Sequence, residues 1–368
     1  MPRVPVRSLP TRRRTSRLPA RALVALAVGL SLVGAACSGG AKKKEAASTT
    51  TTTQPPSTTT APPVDPNADP LTGLPAPPGT AGRPALVVKI DNAPKARPQA
   101  GVNEADIVVE EGVEGGVTRF ATLFHSHDAP SVGPVRSARS TDLLFARQIA
   151  RPLFAYSGAN QVFLGLVHQA PLVDVGVDRF PTAYHREPGR PAPYNLFSDT
   201  KSLYAAGAGS GDTTPPPPLF FYRPAGEAPP AAGSDPAPRV QAVWKLNITT
   251  TVVYAWDEGT KTFRRTTDGA PHLDAAGTQV APENVVFQVV SYHNTGLVDR
   301  SGAAVPEADL VGAGDAWVLT AGRLIKGHWS RPGEDSTTAY TMPSGEPIRL
   351  TPGRTWLELV PTGNLSAL

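Results

Sequence analysis

The sequence predicts an α+β protein: a mixed α/β N-terminal domain, then a smaller β-rich C-terminal domain, preceded by a signal peptide and a disordered stalk. Three observations predict it. Short β-branched apolar runs alternate with helical patterns between residues 83 and 205. Beyond Arg239 the periodicity is almost entirely that of strands. Ahead of both lies a segment with almost no large apolar side chains.

The first 21 residues carry seven arginines and no acidic residue, and "ALVALAVGLSLVGAA" follows as residues 22–36. Its fifteen residues fall short of the roughly 20 that a spanning helix needs. A basic start, a short apolar stretch and small residues before a cut read as a secretory signal peptide over residues 1–36. Cys37, the single cysteine, comes directly after. "LVGAAC" has the form of a lipidation site that would anchor the chain to the membrane, although Gly34 stands where leucine is commonest. A plain secreted protein with a free thiol is the alternative. One cysteine allows no disulfide within the chain, so stability must come from packing.

Seven of the 35 basic residues and none of the 31 acidic ones lie in residues 1–36, which leaves 28 basic against 31 acidic residues, a net charge of −3. The basic excess therefore belongs to the export signal and gives no reason to expect a nucleic-acid partner. Residues 37–82 read as a lipid-anchored Ser/Thr/Pro stalk that cannot bury enough surface to offset its ordering entropy.

Order is expected from Arg83. "PALVVKID" and "ADIVVEE" are buried strands, Gly115-Gly116 marks a hairpin turn, and "TRFATLFHSH" alternates as the returning strand. Leu143, Leu144 and Ile149 lie on a helix, "LFAYSGA" is a strand, and "NQVFLGLVHQA" is a second helix. Residues 206–238 form a Pro/Gly-rich linker whose one apolar island, Leu219 to Tyr222, should dock on a domain. The C-terminal domain, residues 239–364, contains hairpins turning at Asp257-Glu258-Gly259 and at Ala321-Gly322, a buried strand in "ENVVFQVVSYH", and a closing strand in "RTWLELVP". Each half is long enough for a core of its own.

The chemistry concentrates in "SVGPVRSARSTD". Arg136 and Arg139 fall in or just before the first turn of a helix, where cations oppose the helix dipole. The place favours them only if an anion sits among them. That anion is either internal, supplied by Glu104, Asp106, Glu110, Glu111, Glu114 or Asp142, or external, a phosphate-like group held by the guanidinium forks. Glu110 and Glu111 extend an apolar strand, so one of them should face inward and need a partner. In "HSHD", His125 and His127 share a strand face and are the weak candidate for a metal, with no further ligand nearby. No dinucleotide loop, nucleophile elbow or other cofactor motif is present.

"RPALVVKIDNAPKARPQAGVNEADIVVEEGVEGGVTRFATLFHS" with "VGPVRSARSTD" resembles the first domain of the YerB-like lipoproteins, and "ENVVFQVVSY", "GAGDAWVLTAGRLIKGHWSR" and "GRTWLELVP" resemble the second. The resemblance runs from about Arg83 to Pro361. It implies an exported, lipid-anchored, two-domain protein of a family without an established molecular function. Where that family usually shows Pro-His-Asn-Leu-Tyr, this chain has "APYNLF", with Tyr194 in place of histidine and Asn195 kept. The change speaks against histidine-based catalysis.

The expected function is a binding or scaffolding lipoprotein on the outer face of the bacterial cell membrane. Its partners would be the membrane, through the anchor, and an anionic envelope ligand or envelope protein. A polar cleft in the N-terminal domain would be lined by Arg136, Arg139, Asp142, Glu110, Arg119 and Asn195. The alternative is an envelope enzyme acting on a phosphorylated or glycan substrate, with the arginines as clamp and Glu110 or Asp142 as base.

Overall fold

A computed structural model describes residues 65–368, apart from 160, 225, 232, 237–238, 246–247 and 300–301. The expected signal peptide, Cys37 and residues 37–64 of the expected stalk lie outside the described residues.

The folded chain begins earlier than Arg83. Asp69 accepts the backbone N–H groups of Leu71 and Thr72 at 2.9 and 3.1 Å, and its second oxygen meets Nδ1 of His125 at 2.5 Å. That turn drops Leu71 into the core, fully buried. One apolar side chain and one buried carboxylate anchor a segment whose composition resembles a stalk.

The N-terminal half supplies β1 (Leu86–Asp91), β2 (Ile107–Gly112), β3 (Thr118–Phe124), β4 (Leu153–Ala155) and β5 (Val173–Asp174). It also supplies α1 (Ser140–Ala146), α2 (Gln161–Gln169) and α3 (Thr200–Gly207). Helix α1 stops short of Ile149, and α3, N-capped by Asp199 through the N–H of Ser202, was not anticipated.

Among the described residues a sheet of 11 strands dominates. Its order runs Ala339–Thr341, Arg323–Arg331, Gly312–Thr320, Asn284–Val290, Thr355–Pro361, β2, β3, β1, β4, β5, with Ser234–Pro236 pairing beside Arg323–Arg331. Apart from the hairpin at Asp257-Glu258-Gly259, the strands read from the sequence are in it, and the Ala321-Gly322 turn has φ values of 46° and 72° as a tight hairpin requires. The joining pair is β2 with Thr355–Pro361, parallel, in the register Ile107↔Thr355 to Glu110↔Glu358.

That pairing corrects the expectation of two separate cores. The N- and C-terminal halves contribute to a single sheet, and each of its faces is covered by residues from both. One face packs Val87, Val109 and Leu123 with Val286 and Leu357. The other packs Val88, Val108 and Phe120 with Val285, Phe287 and Trp356. Because the strands are covered on both sides, β1, β2 and β3 are buried along their whole length rather than alternating.

The second face is closed by a five-stranded antiparallel sheet that includes Arg239–Lys245, Thr249–Asp257 and Thr262–Thr267. Its strands do alternate, with Val240, Ala242, Trp244, Val252 and Tyr254 inward and fully buried. The apolar island docks as its composition implies. Leu219 and Phe220 are buried, and Phe221–Tyr222 pairs in parallel with Arg349–Leu350. No helix among the described residues is long and apolar enough to cross a membrane.

Candidate functional site

Strand β1 has parallel β4 beside it only over Leu86–Val88. At its carboxyl end a different segment takes that place. Val135 bridges Ile90, the N–H of Asp91 donates to the carbonyl of Pro134 at 2.9 Å, and the N–H of Arg136 donates to that of Lys89 at 2.8 Å. The N–H of Ser157 then bonds the carbonyl of Arg136 at 2.9 Å. The loop carrying both arginines is thus wedged between the carboxyl ends of two parallel strands. In open sheets with parallel strands, that is where ligand crevices form.

The sheet beneath this loop carries a row of charges. Asp91, Arg119 and Glu111 stand opposite one another across β1, β3 and β2, and Lys89 lies two residues before Asp91 on the same face. Lys89 is fully buried; its ammonium pairs with Glu111 and, at 2.7 Å, with Asp142. Arg139 holds Glu114 with two nitrogens, Nε to Oε2 at 2.7 Å and Nη2 to Oε1, and its Nη1 donates to the carbonyl of Ala138 at 2.7 Å. Arg119 reaches the same Glu114 oxygen at 3.2 Å and the carbonyl of Ser137 at 3.2 Å, while its buried Nε has no partner among the described residues.

The local conflict between Arg139 and the helix dipole is answered by Asp142. Arg139 is the residue before α1, and its N–H donates to Asp142 Oδ2 at 2.7 Å, which puts a carboxylate in the first turn. Four cations, Lys89, Arg119, Arg136 and Arg139, therefore face four carboxylates, Asp91, Glu111, Glu114 and Asp142. Burial, and next the Asp142 charge, pushes the Glu111 carboxyl up to about 7 against the pull of Lys89. Burial also lowers the guanidinium pKa of Arg119 and of Arg139, with the surrounding carboxylates opposing it.

Arg136 differs from the others. Its Nε donates to the buried Asp91 at 2.6 Å, yet its side chain is 26% exposed and lies 5.8 Å from the ring centre of Tyr194. Its two terminal nitrogens make no hydrogen bond within the described residues. One fork of the cluster thus opens outward beside the residue that replaces the family's histidine.

Of the residues singled out in the sequence, Arg119, Arg136, Arg139 and Asp142 come together here. Glu110 does not. Both adjacent glutamates are buried, but a strand sends them to opposite faces. Glu110 lies in a second network, between the two sheets. There it receives Arg265 Nη2 at 2.5 Å, Thr118 Oγ1 at 2.5 Å and Asn92 Nδ2 at 3.1 Å. Arg265 also bonds Glu358 and the Tyr254 hydroxyl, both at 2.6 Å, and His272 Nδ1 at 2.9 Å. Trp356, Tyr254 and Phe120 surround its guanidinium at 4.4, 5.3 and 5.7 Å. Arg265, Glu110 and Glu358 are all fully buried, so Glu110 cannot touch a ligand.

Asn195 is also misplaced as a cleft residue, since its amide oxygen accepts Arg186 Nη1 at 2.7 Å in an exposed loop. The two histidines of "HSHD" go to different carboxylates, His125 to Asp69 and His127 to Asp106 at 3.2 Å. Among the described residues no group of three His, Cys, Asp or Glu side chains could hold a metal ion. Glu111 and Glu114 are among the internal carboxylates the sequence offers, whereas Lys89 and Asp91 are additions from the structure. The signal was present: a Lys and an Asp inside the apolar run "LVVKID" demand buried partners.

These features define an α+β protein with one sheet common to both halves and an ion-paired cluster at the carboxyl ends of β1 and β4. Residues 71–213 match the family described as "Protein of unknown function (DUF3048) N-terminal domain", and residues 242–357 match its C-terminal domain. The chain is 27% identical over 294 residues to the candidate lipoprotein YerB of Bacillus subtilis (strain 168), covering 79% of this chain and 86% of that protein. The crystal structure of the YerB protein from Bacillus subtilis superposes with a TM-score of 0.69 at 26% identity, over 81% of this chain and 99% of that one. The chain belongs to the YerB-like family.

Proposed function

We propose that this is an exported protein, held on the outer face of the bacterial cell membrane by a lipid on Cys37, whose folded part is a binding or scaffolding module of the envelope. The anchor rests on the signal-like residues 1–36, on the cysteine that follows them, and on the lipoprotein name of the B. subtilis relative. The binding role rests on one observation: Arg136 is the partly exposed cation of an otherwise buried, charge-balanced cluster at the carboxyl ends of two parallel strands. Such a fork suits a phosphate or carboxylate of an anionic envelope ligand.

An enzyme using Glu110 or Asp142 as base is the weaker reading. Both carboxylates are buried and already committed to internal hydrogen bonds, so neither is placed to take a proton from a substrate. Fractionation of cells carrying Cys37→Ala tests the anchor. The unaltered protein should sediment with membranes, and the variant should move to the soluble fraction. A variant that stays with membranes at unchanged electrophoretic mobility would overturn the lipoprotein assignment.

A further inference from the structure

The strap that docks between the two halves closes a second site, on the side of the molecule carrying Ala339–Thr341. Between the strap and the main sheet lies a pocket of about 340 Å³, walled by Leu219, Phe221, Val286, Val318, Ile348 and Leu350. Thr337, Thr338 and Tyr340 are the hydroxyl-bearing residues of its wall, and no charged side chain lines it. Ligand sites typically span about 300–1,000 Å³ and are mostly apolar with a few polar groups. An apolar cavity of about 150 Å³ is already large enough to stay dry and take up a hydrocarbon.

We infer that this pocket binds the hydrocarbon chain of a neutral envelope lipid. Three observations fix the chemistry. The absence of any lining charge excludes a ligand that must bury an ion there, because an unpaired charge in such surroundings is very costly. The Tyr340 hydroxyl donates to Gln288 Oε1 at 2.7 Å, while Gln288 Nε2, 2% exposed as a residue, has no partner. Gln288 lies behind Tyr340 and outside the wall, so the hydroxyls of Thr337 and Thr338 are left to meet a ligand that ends in a neutral oxygen, such as an ester or hydroxyl. Finally, the wall joins residues 217–221, which lie between the two family-matched segments, to apolar residues of the C-terminal match.

The inference does not depend on lipidation of Cys37, and its test uses the full chain carrying Cys37→Ala, so that no attached lipid competes. Thermal unfolding is followed with 1-decanol and, separately, with decanoate. Decanol at a hundred times its Kd should raise the Tm by about 4 °C. Decanoate, equal in length but charged, should bind at least ten times more weakly. Ala339→Trp, a pocket-lining position exposed on a sheet-edge strand, should fold and lose the decanol shift. The absence of a saturable decanol shift would overturn the inference. So would decanoate binding as tightly as decanol, or a folded Ala339→Trp chain that keeps the full shift.

Discussion

Glu110 and Glu358 stand side by side on neighbouring parallel strands and share the single guanidinium of Arg265. The three side chains, all fully buried, tie the N-terminal half to the C-terminal half and the large sheet to the small one. Two carboxyls and one cation cannot all be charged there without a net buried negative charge. Burial, and next the Glu110 charge, raises the pKa of Glu358 well above the ordinary carboxylate value, which favours the neutral acid at that position.

This asymmetry makes a prediction. Glu358→Gln replaces a neutral acid by a neutral amide and should cost no more than about 1 kcal/mol. Arg265→Met leaves Glu110 buried without its counter-charge and should cost about 3–5 kcal/mol. Urea unfolding of the two variants measures both. Equal losses would show that Glu358 is ionised in the folded protein.

A second contrast separates two arginines at opposite ends of α1. Arg139 is buried in its two-point grip on Glu114, whereas Arg147 pairs with Glu334 and Asp335 at the surface, with its side chain 31% exposed. Arg139→Ala should lower stability by about 3–5 kcal/mol and Arg147→Ala by about 0–1 kcal/mol. Thermal unfolding of the two single variants would reveal an error in the assignment if Arg147→Ala were the more damaging.

Stability should also depend on Glu111. Its carboxyl titrates near 4.5 in the unfolded chain and is raised to about 7 in the fold, so the folded state binds the proton more tightly. The resulting stabilisation is complete below pH 4.5 and is lost as pH rises through 7. The change is on the order of 3 kcal/mol. Glu111→Gln should remove that slope from the curve of stability against pH. A slope of the same size in the variant would assign it to another group.

How much of this was legible beforehand depends on sequence distance. The strands of the large sheet read as apolar runs, and the two arginines before α1 announced a buried anion through the helix dipole alone. Glu114, the partner of Arg139, lies among the carboxylates the sequence offered, whereas Asp91, the partner of Arg136, does not. Nothing local announces that β2 pairs with Thr355–Pro361, because parallel partners are joined by long connections and leave no turn signal. For the same reason Glu110 read as a member of the arginine site. Its true partner, Arg265, is 155 residues away and sits in a strand that alternates like any surface strand. Asn195 stands out as the position of the family motif that this chain keeps, and it is the neighbouring Tyr194 that lies against Arg136.

We propose a division of labour in which Arg139, Arg119 and Lys89 hold the fold and Arg136 meets the ligand. The most direct measurement is isothermal titration of a phosphate-bearing cell-wall polymer into the unaltered chain and into Arg136→Ala, with the Tm of each recorded alongside. Arg136→Ala should bind at least ten times more weakly yet stay folded, with its Tm lowered by about 5–10 °C because Asp91 is left buried without its partner. Binding of equal strength in both chains, or a variant that loses its fold together with its binding, would contradict it.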